Sequence, residues 1–233
     1  MKAIVLAGGL GTRLRERVPD LPKPMAPVAG RPFLEYLLDA LARCGCDEVV
    51  LSVGHLWQKI EAHFGNSYNG MALRYAIEQT PLGTGGAIAF ALAQLPANTD
   101  AVLTLNGDTF LDVDFAEVFA HHRASGQPIS MVLREVDDTM RYGAVLVEAG
   151  RVQSFADKGR SGPGLINAGT YVLDPRWFRT LGLPACFSME ADVLQARCAE
   201  LRPAAFVTDA NFIDIGIPQD YDRAQRVLPQ WLA

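Results

Sequence analysis

The sequence lacks the features that mark membrane and secreted proteins. No apolar run approaches the roughly 18 residues that a membrane-spanning helix needs. The apolar segment at residues 3–7 is shorter than the core of a signal peptide, and no cleavage-like site follows it. The four cysteines form no C-x-x-C pair and have no histidine at zinc spacing. We therefore expect a cytoplasmic protein whose thiols, at Cys44, Cys46, Cys186 and Cys198, are buried and unpaired.

Positive charge is scarce over the chain as a whole. Lysine and arginine number 21 against 26 acidic residues, and the net charge of −5 argues against nucleic acid as a partner. The first 31 residues differ, because they hold six of the basic residues and only two acidic ones. This distribution predicts a local anion site near the N terminus of one folded unit.

Two common nucleotide-binding motifs are absent although the N-terminal segment is rich in glycine. Residues 9–14 have leucine where G-x-G-x-x-G ends in glycine, and no glycine there precedes the Lys-Ser or Lys-Thr of a P-loop. Residues 2–14 instead contain an apolar strand, KAIVL, followed by the turn AGGLGTRL. Glycines let backbone N–H groups approach an anion, and Arg13 adds donors that match phosphate oxygens. The segment predicts polyphosphate binding, the alternative being a plain strand-to-helix turn.

A second cationic segment follows this glycine turn. Pro22 and Pro24 flank Lys23, and we expect them to hold it extended and to prevent a helix through it. A lysine on a stiff segment beside a glycine turn is well placed to meet phosphate. The alternative is a solvated surface lysine.

Hydrophobic periodicity predicts alternating strands and helices in the first half of the chain. The predicted strands are residues 3–7, 48–53, 73–77 and 101–105, and the predicted helices are 33–43, 56–64, 87–94 and 115–122. This alternation is typical of a Rossmann-like α/β fold, a mostly parallel sheet covered by helices on both faces. His121 and His122 are expected at a solvated helix end.

The pattern changes after residue 128, where strands predominate. The predicted strands are residues 129–133, 143–147, 152–155, 169–173 and 212–218, and the predicted helices are 175–181, 190–201 and 219–227. They predict a small, partly antiparallel subdomain added to the first sheet. Within it, Lys158 and Asn167 could contact a phosphate and a sugar hydroxyl, with surface placement equally open.

Polar residues stand at strand ends, where open α/β sheets bind ligands. Gln79 follows the third strand, can donate to and accept from a nucleobase, and precedes a second glycine-rich turn at residues 83–86. Asp108 and Asp214 each follow a strand beside a glycine, and such carboxylates commonly hold Mg²⁺. The alternatives are a purely structural turn for the glycines and a turn cap for Asp108.

Together these segments resemble the sugar-1-phosphate nucleotidyltransferases. The resemblance rests on residues 6–14 (LAGGLGTRL), 22–24 (PKP), 83–85 (GTG), 106–108 (NGD), 167–169 (NAG) and 214–216 (DIG), in the expected order. It implies transfer of NMP from an NTP to a sugar 1-phosphate, with release of pyrophosphate and with Mg²⁺ as cofactor. It also implies one nucleotidyltransferase domain over residues 1–233, with a nucleotide-binding part at about 1–127 and a sugar-binding part at about 128–233.

The same resemblance implies roles for individual residues. Arg13, Lys23 and Asp108 would be catalytic, and Asp108 and Asp214 would hold the metal. The residues expected at the nucleotide are Leu6, Ala7, Gly8, Gly9, Gly11, Thr12, Arg13, Lys23, Gln79, Gly83, Thr84 and Asn106. The residues expected at the sugar phosphate are Asp108, Tyr142, Gly143, Lys158, Asn167, Glu190 and Asp214.

Among short members of this family, the sequence most resembles the D-glycero-α-D-manno-heptose 1-phosphate guanylyltransferases. Residues 23–27 (KPMAP), 32–37 (PFLEYL) and 212–218 (FIDIGIP) carry this likeness. It implies GTP as the nucleotide and a GDP-heptose for cell-surface glycans as the product. The alternatives are a uridylyltransferase acting on N-acetylmuramate 1-phosphate or another hexose 1-phosphate, a catalytically silent nucleotide-binding module, and an unrelated Mg²⁺-dependent kinase.

Overall fold

The structure is a computed structural model that describes residues 1–9, 11, 14, 17–156, 159 and 161–232. Its strands are β1 (Lys2–Leu6), β2 (Pro27–Val28), β3 (Arg31–Pro32), β4 (Glu48–Val53), β5 (Ser67–Tyr68), β6 (Met71–Ile77), β7 (Val102–Asn106), β8 (Thr109–Leu111), β9 (Ile129–Val136), β10 (Val145–Glu148), β11 (Arg151–Phe155), β12 (Gly164–Leu173), β13 (Ala204–Thr208) and β14 (Phe212–Asp214). Its helices are α1 (Phe33–Arg43), α2 (Trp57–Phe64), α3 (Gly83–Leu92), α4 (Phe115–Ser125), α5 (Pro175–Thr180), α6 (Cys198–Leu201) and α7 (Pro218–Trp231). A 3₁₀ turn lies at Lys23–Met25, and a π-helical segment lies at Met189–Gln195.

Ten of these strands form one sheet, in the order β10-β11-β13-β9-β12-β7-β1-β4-β6-β5. β1 pairs in parallel with both β4 and β7, and β4 pairs in parallel with β6. Residues 3–5 of β1 are completely buried, as expected for a central strand covered on both faces. Because these strands run parallel, the turns that follow them meet at one edge of the sheet.

Helices pack on both faces of this sheet. Ala3 and Val5 of β1 belong to the core shared with α1, α2, α4 and α7, whereas Ile4 belongs to the core shared with α3, α5, α6 and the π-helical segment. Successive side chains of a strand point to opposite faces, so a continuous apolar strand is needed to serve both cores. The predicted α/β fold class, with a central sheet covered by helices on both faces, is therefore confirmed.

The second half of the chain extends the same sheet. β12 runs antiparallel to β7 and to β9, and β13 runs parallel to β9. The prediction of a partly antiparallel addition to the first sheet is confirmed. β13 has no counterpart among the predicted strands, because the alanines that begin it have little preference for strands.

Several local expectations are wrong. The Pro-Lys-Pro segment is not extended throughout, because Lys23–Met25 forms one 3₁₀ turn in which Pro24 is tolerated near the start. α3 begins at Gly83 and not at residue 87, so the second glycine-rich turn is largely the first turn of a helix. The helix predicted at residues 190–201 is divided into the π-helical segment and α6.

Two further expectations about burial are also wrong. His122 is buried rather than solvated, and its Nδ1 lies 2.9 Å from Ser130 Oγ because α4 packs on β9. All four cysteines lie in the described part of the chain as free thiols, but Cys186 is exposed. Within the described ranges, no helix is both long and apolar enough to span a bilayer.

Candidate active site

The turn after β1 lies tightly between the ends of two neighbouring strands. The Ala7 N–H donates to the Ser52 carbonyl at 2.7 Å, and the Gly107 N–H donates to the Leu6 carbonyl at 2.9 Å. A side chain on Gly107 would come within 2.7 Å of that Leu6 carbonyl, so glycine is required there. The first glycine turn is therefore joined to the turn that carries Asp108.

Glu78 supports the same turn from the end of β6. Its Oε1 accepts a hydrogen bond from Ser52 Oγ at 2.9 Å, and its Oε2 accepts one from the Leu82 N–H at 3.0 Å. A side chain on Gly8 would lie 2.9 Å from Oε1. Glu78 thus links the end of β4 to the segment before α3 and lies against the glycine turn, although the sequence assigned it no role. Its position directly after a strand is the signal that could have identified it.

Lys23 reaches the middle of this edge of the sheet. Gly11 has a φ of +56°, and a side chain on it would lie 2.9 Å from Lys23 Cβ. Lys23 Nζ forms an ion pair with the Asp108 carboxylate, and only 12% of the Lys23 side chain is exposed. A cation held this deeply is not a solvated surface lysine.

Asp214 converges on the same point from the C-terminal part of the chain. β14 pairs with β8, and the Ile215 N–H donates to the Asp108 carbonyl at 2.9 Å. Asp214 Oδ1 accepts from the Gly216 N–H at 2.6 Å, and Oδ2 lies 3.3 Å from Arg141. The strand pairing therefore brings together two aspartates that are far apart in the sequence.

The surroundings of Asp214 disfavour its charge in the absence of further cations. Burial raises the pKa of Asp214 above its ordinary value, and the negative charge of Asp108 raises it further. Lys23, the Gly216 N–H and Arg141 act in the opposite direction. Two carboxylates of like charge that face each other in this way favour a bound cation.

A first cavity of about 500 Å³ opens beside the glycine turn. Its walls include Gly8, Gly54, His55, Trp57 and Gln79. A smaller neighbouring cavity shares His55 with it and is lined by Gly9, Gly11 and Lys23. Gln79 and the first glycine turn, which are distant in sequence, thus face one space. Gly54, His55 and Trp57 were not predicted, since no pattern marks the turn after β4.

The second glycine-rich turn packs against protein. A side chain on Gly83 would come within 2.4 Å of the Phe187 carbonyl, and one on Gly85 within 2.1 Å of the Phe187 ring. The N–H groups of Gly85 and Gly86 donate to the Phe187 carbonyl at 3.0 and 3.3 Å. Two donors at the start of α3 are therefore occupied by this carbonyl, as the structural alternative expected.

A second cavity of about 740 Å³ lies on the other side of Asp214. The cavity is lined by five residues predicted at the sugar phosphate, Tyr142, Gly143, Asn167, Glu190 and Asp214, and by Asn106, which was predicted at the nucleotide. They come from five different segments of the chain, so only the folded sheet brings them together. Thr109 and Gln153 also line it, and neither was predicted.

Glu190 is held in this wall by a chain of hydrogen bonds. Thr84 Oγ1 donates to Glu190 Oε2 at 2.6 Å and accepts from the Met189 N–H at 2.8 Å. Tyr171 OH donates to Glu190 Oε1 at 3.4 Å, and Asn167 Nδ2 donates to Tyr171 OH at 2.7 Å. Burial holds the pKa of Tyr171 well above its ordinary value, so it stays a neutral donor. Thr84 therefore joins α3 to the second cavity.

Asn106 occupies the boundary between β7 and β12. A side chain on Gly169, whose φ is +68°, would lie 2.4 Å from Asn106 Nδ2. The register of β12 against β9 shifts between Asn167 and Tyr171, and the Gly169 N–H donates to Asn167 Oδ1 at 3.0 Å. The Asn-Ala-Gly segment is thus an irregular turn of β12 that leaves room for Asn106.

The predicted residues Thr12, Arg13 and Lys158 lie outside the described residues.

At the carboxyl edge of the α/β sheet, Lys23 lines the small cavity beside the first one and is ion-paired with Asp108, and Asp214 lines the second cavity. The chain matches the model of the nucleotidyl transferase family over residues 2–230 and belongs to that family. The predictions of the family, the fold and a sugar-1-phosphate nucleotidyltransferase are therefore confirmed.

Two of the proteins to which this chain is similar are guanylyltransferases of about the same length. The D-glycero-alpha-D-manno-heptose 1-phosphate guanylyltransferase of Aneurinibacillus thermoaerophilus is 41% identical over 232 residues, with 100% of both chains covered. The enzyme of the same name from Campylobacter jejuni is 40% identical, with 95% of this chain and 97% of that protein covered. These relatives support the predicted likeness to guanylyltransferases and do not favour the uridylyltransferase, silent-module or kinase alternatives.

A solved structure agrees with these relatives. HddC from Yersinia pseudotuberculosis is 34% identical and superposes with a TM-score of 0.86, covering 97% of this chain and 99% of that one. Its complex with GMP-PN is 35% identical, with a TM-score of 0.84 and the same coverage.

Proposed function

We propose that this protein transfers GMP from GTP to D-glycero-α-D-manno-heptose 1-phosphate and releases pyrophosphate. The product would be GDP-D-glycero-α-D-manno-heptose, a donor for cell-surface glycans. The observation that carries the proposal is the ion pair of Lys23 with Asp108 beside Asp214, because Lys23 lines the small cavity next to the first one and Asp214 lines the second cavity. The two curated relatives of matching length support the choice of guanine and heptose.

The two cavities suit two substrates. The first cavity, beside Gly8 and Gln79, would hold the guanosine and the triphosphate of GTP. Leu6, Ala7, Gly9 and Gly11, with Thr12, would form or support this nucleotide wall, whereas Gly83 packs on Phe187 and Thr84 bonds to Glu190 of the second cavity. The second cavity, with Tyr142, Gly143, Asn167 and Glu190, would hold the sugar, and Lys158 would bind its phosphate. This assignment places the nucleotide part at about residues 1–127 and the sugar part at about 128–233.

The reaction needs positioning and charge stabilisation more than acid–base chemistry. An oxygen of the sugar phosphate is already anionic, and it forms a new bond to the α-phosphorus of GTP. The bond from that phosphorus to the bridging oxygen breaks, and its electron pair leaves with pyrophosphate. The protein must therefore bring two polyanions together and stabilise the charge at the α-phosphate.

Lys23 is positioned to provide part of that stabilisation. Its amine is paired with Asp108, and its side chain lines the small cavity beside the first one and packs closely on Gly11. We assign it to the α-phosphate or to the attacking phosphate. Arg13, on the glycine turn, would bind the triphosphate and the departing pyrophosphate, and Asn106, which lines the second cavity, would border the sugar phosphate in place of the nucleotide.

Asp108 and Asp214 would hold Mg²⁺. Within the residues described, no third carboxylate, imidazole or thiol joins them to form a larger cluster. Mg²⁺ is commonly bound by one or two carboxylates together with substrate phosphates, so this pair of aspartates fits the ion. When bound, the ion would neutralise phosphate charge.

The free thiols and the NTP substrate suit a cytoplasmic enzyme.

Pyrophosphate release tests the reaction directly. The protein is incubated with each of four NTPs and with heptose, mannose, glucose and N-acetylmuramate 1-phosphates. We expect release with GTP and the heptose 1-phosphate to exceed every other combination by at least about tenfold, which corresponds to ~1.4 kcal/mol. Preference for UTP with N-acetylmuramate 1-phosphate, or formation of GDP in place of pyrophosphate, would contradict the proposal.

Metal removal tests the role of the two aspartates. In excess EDTA we expect turnover to fall below detection, because repulsion among the phosphates and the two carboxylates is then uncompensated. Addition of Mg²⁺ beyond the chelator should restore the full rate. Ca²⁺ is a matched control, since it binds oxygen ligands but prefers a larger and looser coordination shell. Full activity in EDTA would exclude a metal at this site.

A further inference from the structure

Gln153 occupies an irregular position in the wall of the second cavity. In the pairing of β10 with β11, Leu146 lies opposite Ser154 and Val147 lies opposite Val152, so Gln153 has no partner residue. It is therefore the extra residue of a β-bulge, and bulges re-aim side chains and are frequent beside active sites.

The bulge changes which side chains face the cavity. In a regular strand Gln153 and Ser154 would point to opposite faces of the sheet. Here Gln153, Ser154 and Phe155 all line the second cavity, whereas Val152 stays completely buried in the core. The irregularity thus adds a polar amide to the cavity without removing an apolar side chain from the core.

The amide nitrogen of Gln153 has no hydrogen-bond partner. Nε2 is inaccessible to solvent and forms no hydrogen bond within the described residues. A buried donor without an acceptor typically costs about as much as a lost hydrogen bond, so a glutamine is an unfavourable choice unless something pairs with it. The terminal torsion of glutamine is soft, and a small rotation turns the amide towards the cavity that its side chain already lines.

The space beside Gln153 is bordered by small residues. α6 packs on β11, and Cys198 Sγ lies 3.8 Å from the carbonyl of Val152. Ala196 and Ala199 line the same cavity. These short side chains border the cavity on the side where α6 packs on β11.

Gln153 is also in a different part of the wall from the reacting groups. Asn106 ends β7 and Asp214 ends β14, and β11 is adjacent to neither strand. A sugar whose 1-phosphate lies at Lys23 and Asp214 would present its more distant hydroxyls to the β11 part of the wall.

We propose that Gln153 is a specificity-determining residue, whose amide donates a hydrogen bond to a hydroxyl of the acceptor sugar remote from the anomeric phosphate. This assignment rests on the proposed function, because it takes the second cavity as the sugar site. The bound hydroxyl supplies the acceptor that Nε2 lacks, and a sugar without a hydroxyl at that place leaves the donor unpaired.

The test replaces the amide without changing the length of the side chain. In Gln153→Met, we expect kcat/KM for the heptose 1-phosphate to fall about 10- to 100-fold, mainly through KM, while the KM for GTP stays as in the wild type. The Tm should be unchanged or higher, because the substitution removes an unpaired buried donor. Gln153→Glu keeps the size but replaces the amide donor by an acceptor oxygen, so it should lose as much. Gln94→Met, at an exposed position near the end of α3, is the matched control and should match the wild type in all of these quantities.

Comparison of two sugars refines the result. A larger loss for heptose than for mannose 1-phosphate assigns the amide to the hydroxyl on the additional carbon of the heptose. An equal loss assigns it to a hydroxyl that the two sugars share. Both outcomes support the proposal. An unchanged KM for the sugar phosphate in Gln153→Met, full activity of Gln153→Glu, or a lowered Tm without loss of sugar affinity would overturn it.

Calorimetric titration of the sugar 1-phosphates separates this inference from the proposed reaction. If the wild type releases no pyrophosphate with GTP, the proposed function fails. Weaker binding of a sugar 1-phosphate to Gln153→Met than to the wild type would still support the role of the amide, and equal binding would overturn it.

Discussion

Substitution of Asp108 by asparagine lowers kcat by about 10²–10³-fold, the usual loss for a charge-stabilising group of an active site. The side chain keeps its shape, but the negative charge that would hold Mg²⁺ is removed. The fold should be unaffected, because the Ile215 N–H bonds to the Asp108 backbone carbonyl and not to the side chain. Initial rates measured over a range of Mg²⁺ concentrations should saturate only at higher Mg²⁺ than in the wild type, because the loss of a ligand weakens the affinity for the metal.

Asp112→Asn is the matched control for this variant. Asp112 lies just after β8, so its substitution by asparagine makes the same change of charge close to the site. The substitution leaves the backbone hydrogen bond from the Asp112 N–H to the Asn211 carbonyl, at 2.9 Å, untouched. We expect wild-type kinetics from it. Near-normal turnover of Asp108→Asn with an unchanged Mg²⁺ midpoint would exclude Asp108 as a metal ligand.

Substitution of Lys23 by methionine lowers kcat by about 10²–10³-fold and changes the KM for GTP by only about threefold or less. The amine is held against Asp108 before any substrate arrives, so its largest contribution should come when charge develops at the α-phosphate. Methionine fills the space against Gly11 and removes only the charge. Steady-state kinetics with GTP and the sugar phosphate varied separately measure both quantities.

Lys59→Met is the control for the loss of a lysine. Lys59 Nζ donates to the carbonyl of Asp20, away from both aspartates of the site. It should keep wild-type kcat and KM. A raised KM for GTP with an unchanged kcat in Lys23→Met would instead make Lys23 a ground-state anchor of the nucleotide, and thermal unfolding would detect any general loss of stability.

Local features of the fold were predictable because they depend on neighbouring residues. The apolar residues of α1 recur at helical spacing, and Leu34, Leu37, Leu38 and Leu41 are all buried as that spacing requires. The continuous apolar run of β1 indicated a strand buried on both faces, and the sheet confirms it. Local pattern failed where packing overrides propensity, as at His122, which α4 places against Ser130.

The candidate site was predictable only in part. Glycines mark turns, and aspartates after strands mark ligand sites, so Gly8, Lys23, Asp108 and Asp214 could each be selected from local sequence. Their meeting depends on the pairing of β14 with β8, which joins segments about 100 residues apart and leaves no local signal. The bulge that places Gln153 in the wall of the second cavity depends in the same way on the register of β10 against β11.

The second glycine-rich turn shows how one sequence pattern can serve two purposes. Gly83, Gly85 and Gly86 suit a phosphate-binding turn, but the structure packs them on the segment at residues 185–187. Only the long-range contact with Phe187 distinguishes these possibilities, because a glycine that admits a ligand and one that admits a neighbouring backbone have the same local preferences.

The sequence by itself determined the class of protein, the alternating layers and the residues able to handle phosphate, since strand burial, helix spacing and glycine turns are encoded within short segments. Only the tertiary structure decided which of those residues face one another, which glycines support the protein instead of a ligand, and that Gln153 faces the second cavity. Such relations depend on strand register and on packing between distant segments, and those are properties of the folded chain as a whole.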